Sequence, residues 1–89
     1  MLSEELLEVI EELTDAYEEL GFLRSQELLK KKEVWSSDPS ASIQVRDRSA
    51  TYAAAEITAE IYKVEARIHG LNLRRSYIER LLSDGSPQR

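Results

Sequence analysis

Apolar side chains recur at alternating intervals of four and three residues along the second half of the chain. This spacing is typical of one face of a long helix, because the side chains on one face of a strand recur every two residues. Arg75 is the polar exception, between Leu71 and Ile78. A stripe of this length has to pack against another helix, so an all-α fold is predicted. The stripe consists of Ala50, Ala54, Ile57, Ile61, Val64, Ile68, Leu71, Ile78 and Leu82.

A second stripe with the same spacing predicts a first helix over residues 3–34. Ser3 is a suitable N-cap, and Glu4 and Glu5 suit the positive end of the helix dipole. Gly21 costs a helix about 1 kcal/mol relative to Ala, but helical spacing continues beyond it, so one helix is expected. The stripe, which Ile10 and Tyr17 widen on one side, consists of Leu2, Leu6, Val9, Leu13, Ala16, Leu20 and Leu23.

Ser, Asp and Pro between the two stripes predict a connector over residues 36–46, since these residues favour turns. Ile43 and Val45 fit either an extended connector or an early first turn, and we favour a second helix over residues 47–83. Gly85 and Pro87 predict a flexible tail over residues 84–89. Residues 1–83 would then form a single domain.

The charges favour an antiparallel helical hairpin with a coiled-coil-like seam. Residues 1–19 carry acidic but no basic side chains, whereas the charged residues among 63–80 are mostly basic. Folding the chain back on itself places these segments side by side. Two helices cannot cover all of the apolar surface, so a homodimer forming a four-helix bundle is expected. The assembly seam is predicted to consist of Leu6, Leu13, Leu20, Ile57, Ile61, Val64, Ile68 and Leu71.

Composition excludes several classes of function. The chain has 89 residues, a net charge of −5 and no cysteine, so disulfides and thiolate metal sites are impossible. No apolar run is long enough to cross a bilayer and the N-terminus lacks a secretory signal, so a soluble cytoplasmic protein is expected. No Gly-rich phosphate loop, nucleophile elbow or Glu-x-x-His motif is present. We therefore expect no enzyme activity, cofactor or metal.

Three candidate surfaces remain. Tyr52, Tyr62 and Trp35 are a potential surface for a protein partner, although Trp35 fits better as a hydrophobic plug at the bend. A basic cluster near the bend is a potential phosphate contact, although compensation of the helix dipole explains it more simply. The basic cluster consists of Lys30, Lys31, Lys32, Arg46 and Arg48. An acidic face on the first helix consists of Glu4, Glu8, Glu11, Asp15 and Glu18, and a solvated helix face explains it best.

The favoured interpretation is a non-catalytic interaction protein that self-associates through the seam and binds a protein partner. One alternative is an accessory factor of nucleic-acid replication or recombination that contacts phosphate through the basic bend. Another is an acidic nucleic-acid mimic that inhibits a host enzyme. Binding to nucleic acid is not favoured by the net charge, and binding to a membrane is not expected.

The order of features resembles small two-helix proteins from the early regions of phage and prophage genomes. Trp35, Val45-Arg46-Asp47-Arg48-Ser49-Ala50 and Ala53-Ala54-Ala55-Glu56 carry the resemblance. It covers most of the chain, and the Ser-rich linker of lower charge departs from it. The resemblance implies a phage-encoded protein of the host cytoplasm, without an established family activity.

Overall fold

The computed structural model describes residues 1–84, which form three α-helices and no strand. The helices are α1 (Leu2–Ser37), α2 (Ile43–Ala53) and α3 (Ala55–Asp84). The molecule is elongated, with principal extents of 71 × 18 × 16 Å. The predicted all-α class is confirmed. Asp84, predicted in the tail, is the last residue of α3, and residues 85–89 of that tail lie outside the described part of the chain.

α1 passes through Gly21 without interruption and ends three residues later than predicted. The hydroxyl of Ser37 donates to the carbonyl oxygen of Val34 at 2.8 Å, which satisfies one of the carbonyls at the helix end. Pro39 has no amide hydrogen and disfavours helical dihedral angles at the residue before it. Asp38 accordingly leaves the helical region, with φ −137° and ψ 81°.

The connector occupies residues 38–42 and is shorter than the predicted 36–46, and the second helical segment begins at Ile43 instead of near Asp47. Ser42 is its N-cap, with an extended backbone and a side-chain oxygen that accepts from the amide of Val45 at 3.2 Å. The amide of Arg46 donates to the carbonyl of Ser42 at 3.0 Å. A Ser cap satisfies otherwise unpaired amides of the first turn, which explains why the β-branched Ile43 and Val45 are helical.

α2 and α3 are separated by a single residue, Ala54. Its backbone, with φ −93° and ψ 4°, departs from helical values. The hydrogen bonding nevertheless continues, because the Ala54 amide donates to Ala50 at 3.1 Å and the Thr58 amide donates to Ala54 at 2.9 Å. Ala54 is fully buried, and its small side chain permits a close approach of the backbone to neighbouring atoms.

The core lies along the line where α1 and α3 pack together. Residue numbers fall along α1 as they rise along α3: Arg24 contacts Glu65, whereas Glu19 lies 3.9 Å from Arg67. Leu2, Leu6, Leu23, Ile57 and Leu71 pack against the core from its margins. The buried residues of this core are Val9, Leu13, Ala16, Leu20, Ile61, Val64, Ile68 and Ile78.

Candidate interaction surface

The residues predicted to form an assembly seam lie between α1 and α3 of the same chain. Leu13, Leu20, Ile61, Val64 and Ile68 are buried there, and Leu6, Ile57 and Leu71 are partly buried against them. These side chains therefore stabilise the single chain and are not available to a second molecule. Any further association has to use another surface.

A different set of side chains follows the same three-four rhythm along an exposed face of α1. It begins at Leu7, ends at Trp35 and keeps the interval of a helical seam throughout. The exposed fraction is 60% for Leu7, 40% for Ile10, 53% for Tyr17 and 68% for Leu28. We call this set the α1 stripe; its positions are Leu7, Ile10, Thr14, Tyr17, Gly21, Arg24, Leu28, Lys31 and Trp35.

Side chains of α3 border the α1 stripe along its length. Asn72 donates from Nδ2 to the hydroxyl of Tyr17 at 3.4 Å, and Arg24 donates to Glu65 at 2.8 Å. Tyr62 precedes Glu65 by three residues and so lies on the same side of α3, where it is largely exposed. Tyr62 therefore adds apolar area to the edge of the stripe.

The predicted packing of Trp35 at the bend has a specific partner. Cζ of Arg46 lies 4.5 Å from the centroid of the Trp35 ring, and Nε of Arg46 donates to the Trp35 carbonyl oxygen at 2.9 Å. Both residues are half-buried. The contact ties the start of α2 to the end of α1.

A groove of about 310 Å³ lies beside Trp35, between the last turns of α1 and one side of α2. Leu28 and Trp35 supply apolar surface from α1, while Lys31 and Lys32 place two cations at the groove. Three of these residues belong to the α1 stripe, so the groove is its C-terminal end. The α2 side is formed by Asp47, Ala50 and Thr51.

A second groove, of about 540 Å³, adjoins the first on α2 and shares Asp47 and Thr51 with it. Its lining includes Arg48 and Tyr52, and Tyr52 is 85% exposed. The predicted partner residues are thus separated: Tyr52 faces this groove, Trp35 faces the first one, and Tyr62 lies along α3.

The predicted basic cluster is divided in the same way. Lys30, Lys31 and Lys32 lie in the last turns of α1, and Lys31 and Lys32 line the groove at Trp35. Arg48 lines the second groove. Arg46 is half-buried against Trp35 and its Nε already donates to the Trp35 carbonyl oxygen, so less of its guanidinium is open to a phosphate.

The acidic face of α1 is exposed along its whole length. Four ion pairs are present within residues 1–84, and none involves a carboxylate of this face. They join Arg24 to Glu65, Lys63 to Glu60, Arg67 to Glu19 and Arg75 to Glu79. The acidic face comprises Glu4, Glu8, Glu11, Asp15 and Glu18, and its charge is compensated only weakly by α3.

In the described part of the chain, no three His, Asp or Glu side chains lie close enough together to hold a metal ion. His69 is exposed on α3.

Within residues 1–84, none of the helices combines the length and the apolar character needed to cross a membrane.

No protein-family model, curated protein or solved structure matches this chain. The resemblance to phage early-region proteins therefore stays a prediction.

Ile10 and Tyr17, predicted to widen the first seam, are part of the α1 stripe, and the structure adds Leu7, Leu28 and Trp35 to them. The signal was present, because the interval pattern of the α1 stripe can be read from the sequence. The pattern is hard to recognise because polar residues and Gly21 occupy several positions of the stripe.

Proposed function

We propose that the protein is a non-catalytic assembly protein, an antiparallel helical hairpin that self-associates as a homodimeric four-helix bundle. The observation that carries this proposal is the α1 stripe. Its large apolar side chains are exposed although they have the spacing of a helix–helix interface. Thr14, Gly21, Arg24 and Lys31 interrupt the stripe, but exposed apolar side chains grouped on one helix face favour an interaction site.

The contacts within the chain support the hairpin. The order of contacts between α1 and α3 is that of antiparallel helices. The predicted seam holds the two helices together and leaves the adjacent α1 stripe uncovered. In a four-helix bundle each helix packs against two neighbours. In this arrangement α1 would use the seam toward α3 and the α1 stripe toward the second chain.

The bend is the surface that we assign to a protein partner. Tyr52 stands exposed on α2, where it lines the second groove and not the groove at Trp35. A dimer built on the α1 stripe leaves Tyr52 accessible, and tyrosine is enriched at protein interfaces. In a phage setting the partner would be met in the host cytoplasm.

The nucleic-acid alternatives have less support. Arg46, one of the five cations proposed for phosphate, is held by Trp35. Lys31 and Lys32 line one groove and Arg48 lines the adjoining one, and the carboxylate of Asp47 belongs to both linings, which weakens a single basic patch. The acidic face would suit a nucleic-acid mimic, but an uncompensated acidic face on a helix also serves solubility.

Sedimentation equilibrium over a range of chain concentrations tests the proposal. We expect a species of twice the chain mass of 10.2 kDa. Tyr17→Asp should give a monomer at concentrations where the wild type is dimeric, because the carboxylate would be buried without a partner. Leu73→Asp is the matched control, since Leu73 is also exposed and points about 100° around α3 from Asn72, which borders the stripe.

Circular dichroism should show that both variants remain helical. A wild-type chain that stays monomeric at the highest concentration would overturn the proposal. Equal dissociation of the Tyr17 and Leu73 variants would show that the α1 stripe is not the interface.

A further inference from the structure

We infer that the α1 stripe is occupied by α1 of a second copy running in the opposite direction, with the acidic half of each α1 seated at the groove beside Trp35 of the other. This inference rests on the proposed function and deepens it. It assigns the partner of the stripe, the orientation of the two helices and the residues that meet.

The apolar positions of the stripe suit an antiparallel pairing. Its ends carry the large side chains, with Leu7 and Ile10 near the N-terminus and Leu28 and Trp35 near the C-terminus. Gly21 and Arg24 lie near its centre. Consider an antiparallel second copy in the register that places Tyr17 beside its Leu28. In the same register, Ile10 lies beside its Trp35. These large apolar side chains then face each other across the contact, and Gly21 faces Arg24 of the second copy.

The charges select this orientation independently. Glu4, Glu11, Glu18 and Lys32 are seven or fourteen residues apart, so they share one edge of the α1 stripe. In the antiparallel register Glu11 lies next to Lys32 of the second copy. A parallel pair would instead hold Glu11 level with Glu11 of the second copy and about 32 Å along the helix from its Lys32, so this attraction would be lost.

The groove beside Trp35 has the chemistry that this neighbour requires. Leu28 and Trp35 provide an apolar surface for Ile10 of the second copy, and Lys31 and Lys32 are the cations beside it. The first turns of α1 combine apolar side chains of the stripe with carboxylates that lack an ion-pair partner among residues 1–84. The groove and the acidic half of α1 are therefore complementary parts of one surface.

The pairing gives a dimer with closed two-fold symmetry. A two-fold axis across the middle of α1 makes the contact isologous, so that each copy both fills and supplies one groove. No apolar end of the stripe is left for a third chain. A dimer is expected, and an open filament is not.

Charge reversal at Glu11 and Lys32 tests the orientation. The two residues are 21 positions apart on one helix, about 32 Å at the rise of an α-helix, so they do not contact each other within a chain. Glu11→Lys and Lys32→Glu should each weaken the dimer about 3- to 10-fold, because two symmetric pairs become repulsive. The double variant should return to within about two-fold of the wild type. The differences should shrink in 1 M salt, where charges on the surface are screened.

Cysteine crosslinking supplies a second readout, since the natural chain has no cysteine. Glu11→Cys chains mixed with Lys32→Cys chains should form a covalent dimer with a short bismaleimide. Each variant alone should not, because equivalent residues would be about 32 Å apart in the antiparallel pair. Glu11→Cys alone would crosslink in a parallel pair.

The outcomes separate this inference from the proposed function. A wild-type chain that sediments as a monomer overturns both this inference and the proposed function. That result is expected if the stripe binds a helix of a different protein. A dimer in which Glu11→Cys crosslinks alone overturns the orientation and leaves the assembly function standing. A dimer in which neither the mixture nor either variant crosslinks overturns the register.

Discussion

The guanidinium of Arg46 stacks on the indole of Trp35 and donates from Nε to the carbonyl of the same residue. The distances are 4.5 Å to the ring centroid and 2.9 Å to the oxygen. The two residues lie on either side of the connector over residues 38–42. One side chain therefore fixes the first turn of α2 against the last turn of α1, and with it the shape of the groove beside Trp35.

Arg46→Lys should lower the free energy of unfolding by about 0.5–1.5 kcal/mol, the usual contribution of one hydrogen bond. Lysine retains the charge and some attraction to the ring but has no group equivalent to Nε. Trp35 is the chain's single tryptophan, so its fluorescence reports on the contact directly. Urea unfolding at a fixed chain concentration measures the stability, and Arg48→Lys is the control. Identical emission spectra and midpoints for the two variants would show that the stacking contributes nothing.

Ser42→Ala should destabilise the fold by about 1 kcal/mol, because the amide of Val45 loses its side-chain acceptor at the start of α2. Ser42→Asp should retain the cap. Thermal unfolding followed by circular dichroism distinguishes the two variants. If Ser42→Ala and Ser42→Asp unfolded at the same temperature as the wild type, the cap would not determine where α2 begins.

The helical class and the pairing residues were readable from the sequence because long-range periodicity determines them. The alternating spacing of Ile57, Ile61, Val64 and Ile68 predicts a helix whatever the local propensities are, and these residues are buried or partly buried in the core. The continuity through Gly21 followed from the same periodicity.

The boundaries of the connector were not readable in the same way. Ile43 and Val45 are β-branched and suggested an extended segment, whereas the Ser42 cap favours a helix there. A cap depends on the dihedral angle of one residue, which periodicity does not report. The distorted turn at Ala54 also has no signal in the sequence, because neither Pro nor Gly marks it.

The candidate site was only partly predictable. Tyr17 and Leu28 were recognisable as surplus apolar residues, but the seam was expected to carry assembly. Which of two adjacent stripes packs inside the chain depends on the relative rotation of α1 and α3. That rotation is set by the whole set of contacts and not by either helix alone.

Gly70→Ala should raise the free energy of unfolding by about 0.5–1 kcal/mol, because alanine loses less backbone entropy than glycine in a helix. A Cβ at Gly70 or Gly21 meets no atom within 4 Å, and neither residue has a positive φ. Gly21→Ala should stabilise the isolated chain equally. Since Gly21 lies in the α1 stripe and Gly70 does not, only Gly21→Ala is expected to change the dissociation constant of the dimer. Destabilisation by Gly70→Ala would contradict the open surroundings of this glycine.

Arg75→Met should stabilise the protein by about 1 kcal/mol. Arg75 occupies a seam position between Leu71 and Ile78. Its side chain is 42% exposed, but its Nε is buried and has no hydrogen-bond partner among residues 1–84. The nearest carboxylate, that of Glu79, is 3.9 Å from this atom. An unpaired buried donor costs about 1–3 kcal/mol, whereas an ion pair on one helix surface contributes about 0.3–0.5 kcal/mol. The cost exceeds the contribution, so an unbranched apolar side chain of similar length is favoured. Arg74→Met at the exposed neighbouring position is the control and should change the urea midpoint little. Equal midpoint shifts for the two variants would mean that the seam position of Arg75 carries no penalty.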